Sequence, residues 1–253
     1  MTGSVSTSKV EMAYNLFEAF SGVGGNFPMQ YQKAVEYFYA EYNDIPKAEI
    51  FEAIGDKDVQ DFCAKFCDRT KSELFKAIAD LCNNDNSIVA LYTKANALSF
   101  AGAKYRQETI KALTEYLSGE SFFANLTYNP IIEYPDGTKV RRSDALQAAM
   151  YAALGSAYDG EYDYENSLSA YKESYRLCPS LSSDPILIEA DIYRKRNNLD
   201  AGISLLKKSI NSIPPNTEKY NYYKSRLDDL IDKQQKGYVY RPKNKKAYVM
   251  HNN

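Results

Sequence analysis

The sequence predicts an all-α fold built from antiparallel helical hairpins, with one small loop or hairpin inserted between them. Three observations carry that prediction. Apolar residues recur with a helical period along nearly the whole chain. A set of small, aromatic and proline positions repeats itself 35 residues further on. N-capping residues and prolines fall at the ends of the periodic stretches.

The 253 residues suffice for one elongated domain or two smaller ones, and a 44% hydrophobic content supports a substantial core. The 31 basic and 33 acidic residues leave a net charge of −2. That balance supplies no global attraction to nucleic acid or to an anionic membrane. No apolar run approaches the roughly 20 residues of a membrane span. Met1–Thr7 lacks the basic and apolar regions of a signal peptide, so a cytoplasmic chain is expected. The 23 tyrosines can fill helix seams while keeping their hydroxyls wet, and they can equally serve an interface.

In order along the chain, a first helix is expected from about Ser8 to Phe20, with Met12, Leu16 and Phe20 in one stripe and Gly22, Gly24 and Gly25 ending it. Pro28 opens a second helix through about Tyr42. A short helix follows from about Pro46 to Ile54. The periodic stretch from Asp56 to Cys82 divides in two if Thr70 and Glu73 form a capping box. Further helices are expected over about Ser87–Phe100 and Arg106–Leu117. Between Phe122 and Arg142 the helical period fails, and Pro135-Asp136-Gly137 marks a turn between two short β-prone runs. Helices resume over about Ser143–Tyr158, Tyr164–Leu177, Asp184–Arg196, Leu199–Ile213 and Thr217–Lys236. Asp184-Pro185 supplies a cap followed by proline at the first helical position, and Pro214-Pro215 stops the fourth of these helices. Residues 233–253 contain six basic residues and no acidic one, which leaves 1–232 at −8.

The residue types needed for chemistry are sparse. Gly22-Val23-Gly24-Gly25 leaves a helix and is not followed by Lys-Ser/Thr, so it reads as a loop and not as a phosphate cradle. Cys63, Cys67 and Cys82 could form a three-thiolate site, but there is no Cys-x-x-Cys and the single histidine, His251, lies near the C-terminus; buried core thiols are the simpler reading. Carboxylate pairs such as Asp228-Asp229, or Asp159 with Glu161 and Asp163, fit a solvated helix face. No catalytic residue, cofactor or metal is therefore expected.

The repeat is the most specific signal. Leu154-Gly155, Tyr158, Ser167, Tyr171, Ser174 and Pro179 are spaced so that small residues let two helices approach, aromatics fill the seam and proline ends the second helix. Ala190, Tyr193, Gly202, Leu206, Ser209 and Pro214 repeat those separations, with Glu189 departing from the expected apolar residue. Ala97, Phe100, Thr109, Leu113 and Tyr116 form a degenerate copy. This pattern resembles the tetratricopeptide repeat. The resemblance divides the chain into an N-terminal helical region (1–86), a degenerate hairpin (87–121), the insertion (122–142), repeats with a capping helix (143–236) and a basic tail (237–253).

The resemblance further implies a right-handed superhelical α-solenoid whose first helices line a groove. Carried over position by position, the groove-facing residues would be Lys94 and Leu98 from the degenerate unit; Ala149, Ala152, Ser156 and Asp159; Leu187, Asp191 and Arg194; and Asn221, Ser225 and Asp228. One subtype of the family clamps the carboxylate at the end of a chaperone's acidic tail with Lys and Asn four apart. Here Leu98 follows Lys94 at that spacing, so the clamp is absent. The expected function is a non-catalytic scaffold or adaptor binding a protein or peptide. A peptide-sensing regulator and an accessory subunit of an enzyme complex are the alternatives. Nucleic acid is a minor expectation resting on the tail, where Tyr238, Tyr240 and Tyr248 stand among Lys and Arg. No membrane partner is expected, and self-association through exposed tyrosines stays open.

Overall fold

A computed structural model describes residues 8–22, 28–66, 69–119 and 129–242. Among them are twelve α-helices, three short 3-10 turns and one two-stranded sheet. The chain divides into two compact units, Met1–Thr127 and Tyr128–Asn253. No described helix is long and apolar enough to cross a membrane.

The first unit holds α1 (Lys9–Ser21), α2 (Met29–Phe38), α3 (Lys47–Ala53), α4 (Lys57–Phe66), α5 (Lys71–Leu81), α6 (Ile88–Ala101) and α7 (Arg106–Leu117). Local chemistry sets their ends. Ser8 accepts from the Glu11 amide to start α1, and Gly22 closes it in the left-handed region at φ 71°. Thr70 and Glu73 form the expected capping box, so α4 and α5 are separate helices. The second helix stops at Phe38, four residues short of the expectation, and Ala40–Tyr42 tightens into a 3-10 turn. Packing runs α1 on α5 and α6, α5 on α6, and α6 on α7, while α2 bridges α1, α3 and α4. Phe17 lies at the centre, edge-on to Phe75, Tyr92 and Phe100. Leu98 is 2% exposed, which removes it from any groove; α6 turns it inward, and the Thr109 hydroxyl donates to its carbonyl.

The second unit begins with β1 (Ile131–Glu133) and β2 (Lys139–Arg141), paired antiparallel with Ile132 opposite Val140. The Gly137 amide donates to the Tyr134 carbonyl at 2.9 Å, and Gly137 takes φ 83°. The break in helical period was thus a hairpin signal. An isolated pair of strands is marginal, and this one is tied down by Ser180 donating to Asp136 at 2.6 Å. Residues 120–128, the start of the expected insertion, lie outside the described set.

Five helices follow: α8 (Arg142–Gly160), α9 (Tyr164–Leu177), α10 (Pro185–Lys195), α11 (Leu199–Ile210) and α12 (Glu218–Gln235), each packed on the next. The α8–α9 seam depends on small residues. Ser167 donates to the Gly155 carbonyl at 2.8 Å and Ser174 to the Ala148 carbonyl at 2.7 Å, both hydroxyls being fully buried. A Cβ on Gly155 would lie 2.8 Å and 2.9 Å from ring atoms of Tyr171. Gly155→Ala is therefore expected to cost about 1 kcal/mol, an overpacking penalty of about 2 partly offset by about 1 of helix propensity. Thermal unfolding measures this, and an unchanged midpoint would show that the ring can move aside. Glu189, the departure from the repeat, is accommodated by a hydrogen bond from the Tyr193 hydroxyl at 3.4 Å. α11 ends at Ile210, not Ile213, because a residue before proline disfavours helical geometry and the last amides bond back three residues. Its Leu206 joins Ala190, Ile203, Tyr223 and Leu230 in the core that holds α10, α11 and α12 together.

Candidate binding groove

α10 and α12 stand on α11 and touch each other little, which leaves a groove between them. Leu187, Ile188 and Asp191 form one wall, and Lys219, Tyr222, Tyr223 and Arg226 the other. The Ser180–Asp184 segment and Tyr175 close one end, and the volume is about 1040 Å³. A smaller hollow of about 250 Å³ continues past Asp191 and Arg226 to Arg194, Asp229 and Lys233.

Most charges here are already neutralised. Asp184 caps α10 by accepting from the Ile186 amide, and it also pairs with Lys219 at 3.1 Å. Asp229 pairs with Lys233 one turn on. Asp191 receives Arg194 at 2.8 Å and Lys195 at 2.9 Å, and Lys195 also donates to both Asp159 oxygens at 2.7 Å. Burial pushes the Asp191 carboxyl up, but the hydrogen bonds from Arg194 and Lys195 outweigh it and hold the pKa below the ordinary value. Burial disfavours the charged form of Lys195, and its two carboxylates reverse that and raise its pKa. Tyr223 is 1% exposed, and its buried hydroxyl faces the Asp184 carboxylate. Burial, then the Asp184 carboxylate, raises its pKa.

Arg226 differs from its neighbours. It is exposed, lines both hollows, and forms no ion pair with any described residue. Exposed Tyr222 stands one turn before it, and Asn221 and Ser225 offer open polar side chains on the same wall.

The expected site residues are distributed as follows. Leu187, Asp191, Asn221 and Ser225 line the groove, and Asp191 and Arg194 line its extension. Among the described residues, Asp159 pairs with this cluster through Lys195. Ser156 is exposed on α8 beside Tyr171, and Asp228 is exposed on α12 outside the lining. Lys94 is half-buried on α6 of the first unit. Lys195, Tyr222 and Arg226 were missed. The signal lay in the helical spacing 219, 222, 226, which places two cations on either side of an aromatic ring along one face of α12.

Among the described residues no group of three His, Cys, Asp or Glu is arranged to hold a metal ion. Cys63 and Cys82 are buried, and burial pushes the Cys82 thiol up to about 12; Cys67, His251 and residues 23–25 lie outside the described set. Against these observations, no protein-family model, no curated protein and no solved structure matches the chain.

Proposed function

We propose that this chain is a non-catalytic, tetratricopeptide-like interaction scaffold that binds an extended protein segment between α10 and α12. In this reading its hairpins belong to a right-handed α-solenoid, and it works in the cytoplasm. The observation that carries the proposal is a groove of about 1040 Å³ in which one exposed guanidinium, Arg226, forms no ion pair with any described residue and stands beside an exposed Tyr222. Arg and Tyr are among the residue types that most often anchor interfaces, because Tyr buries a large rigid ring and Arg makes several directional hydrogen bonds from one planar group. The partner side chain at that point is a carboxylate, with an apolar or aromatic neighbour stacking on Tyr222.

The test is a binding measurement on a partner segment found by affinity capture at moderate salt. Arg226→Ala and Tyr222→Ala should each weaken the complex at least tenfold, about 1.4 kcal/mol, without changing the melting temperature. A dissociation constant unchanged in both variants would place the contact elsewhere and end this reading.

A further inference from the structure

The end of α12 builds a second feature, beyond the main groove, that shares Arg194 and Lys233 with the groove's extension. Gly237, at φ 62°, reverses the chain: its amide donates to the Gln234 carbonyl and that of Tyr238 to the Lys233 carbonyl. Tyr238-Val239-Tyr240 then runs back to the turn between α10 and α11. There Asn197 grips the main chain of one residue from both sides. Its Oδ1 accepts from the Tyr240 amide at 2.6 Å and its Nδ2 donates to the Tyr240 carbonyl at 3.4 Å. Arg194 reads two side chains: it donates to the Tyr238 hydroxyl at 3.1 Å and lies 5.3 Å from the Tyr240 ring centre. Lys233 lies 5.9 Å from the Tyr238 ring. Val239, between them, is 59% exposed.

Tyr238 and Tyr240 meet Arg194 while Val239 between them faces out, the alternation that an extended chain gives because its successive side chains point to opposite sides. The receiving groups are preorganised. Asp191 fixes the Arg194 guanidinium, and Asn197 is held at φ 57°. What binds is a main chain with aromatic rings two residues apart. The middle residue is not read.

We propose that the α10–α11 turn is a receptor for extended Tyr-x-Tyr segments of a partner protein, filled in cis by this chain's own Tyr238–Tyr240. The contacts are few and mostly exposed, so occupancy in cis rests on tethering. A short tether supplies an effective concentration on the order of millimolar, enough to mask a site of modest affinity. The site is centred on Asn197, which lines neither hollow, so loss of binding on Asn197→Ala is distinguishable from failure of the groove reading.

The probe is a labelled synthetic peptide, Gly-Tyr-Val-Tyr-Arg-Pro, titrated against the full chain by fluorescence anisotropy. The Y238A/Y240A chain should bind it at least about tenfold more tightly than the unmodified chain. Adding Asn197→Ala should remove that gain, and a peptide with both tyrosines replaced by serine should not bind. In the unmodified chain, saturating peptide should accelerate hydrogen exchange across 237–242, a measurement that needs no variant and decides the matter if the double variant fails to fold. No gain in the folded double variant, a gain that survives Asn197→Ala, or exchange unmoved by peptide would each overturn the proposal.

Discussion

Phe17→Ala is expected to cost the first unit about 3–5 kcal/mol, the largest effect of any single substitution considered. Phe17 is 1% exposed, and its ring centre lies 6.3, 6.5 and 5.8 Å from those of Phe75, Tyr92 and Phe100. Truncation removes the apolar transfer energy and also leaves a cavity. Three large rings on two helices, Phe75 on α5 and Tyr92 and Phe100 on α6, cannot all close into it without leaving their own seams. Because two units need not unfold together, the readout is hydrogen exchange of peptides from α1, α5 and α6, not a single melting curve. Phe17→Leu should recover more than half of the loss. If protection in these helices falls by less than about 1 kcal/mol, the aromatic cluster is not the centre of the first unit's stability.

The second large effect belongs to Asp191. Removing its carboxylate leaves Arg194 and Lys195, whose side chains are 18% and 15% exposed, without their shared counter-ion. A cation stripped of its partner in a half-buried place keeps its desolvation cost, so Asp191→Ala should lose about 2–3 kcal/mol in the second unit. Lys195 retains Asp159, and for that reason the loss stays below that of a fully buried orphan. A double-mutant cycle with Lys195→Ala should show the two changes costing clearly less together than their sum. Additive losses would mean that the pair is not coupled.

The same network has a pH signature. Asp191 titrates below its ordinary value when folded, so its contribution is full above about pH 4, the unfolded carboxylate range, and disappears as pH falls through the lower folded value. Lys195 has the opposite sign. Its folded pKa is raised, so its contribution is present below about pH 10 and declines as pH rises through the higher folded value. Between those limits the second unit's stability should be flat with respect to this cluster. In Asp191→Ala the acid-side slope should shrink, which urea unfolding followed at pH 3 and pH 6 can measure.

Helix ends and the hairpin turn were legible in the sequence because their causes are local. Ser8 and the Thr70–Glu73 box act within three residues, Asp184-Pro185 opens α10 directly, and the turn at Pro135–Gly137 is closed by bonds across four residues or fewer. The small residues at 155, 167 and 174 were legible for a related reason. Close helix approach leaves a size requirement that recurs with the spacing of the hairpin. The fate of the groove side chains was not written in that local code. Whether Arg194 points to a partner or is held at home depends on Asp191, on Lys195 and its partner Asp159, and on Tyr238, which stands 44 residues further along the chain. Which stripe of α12 faces the groove depends on Tyr223 and Leu230 being drawn into the core around Leu206, and that rotation sets Arg226 in the groove lining and Asp228 outside it. Caps, turns and size constraints act over one helical turn and can be read in order. The pairing of charges and the facing of helices follow from which distant surfaces burial brings together, and no short stretch of the chain contains that information.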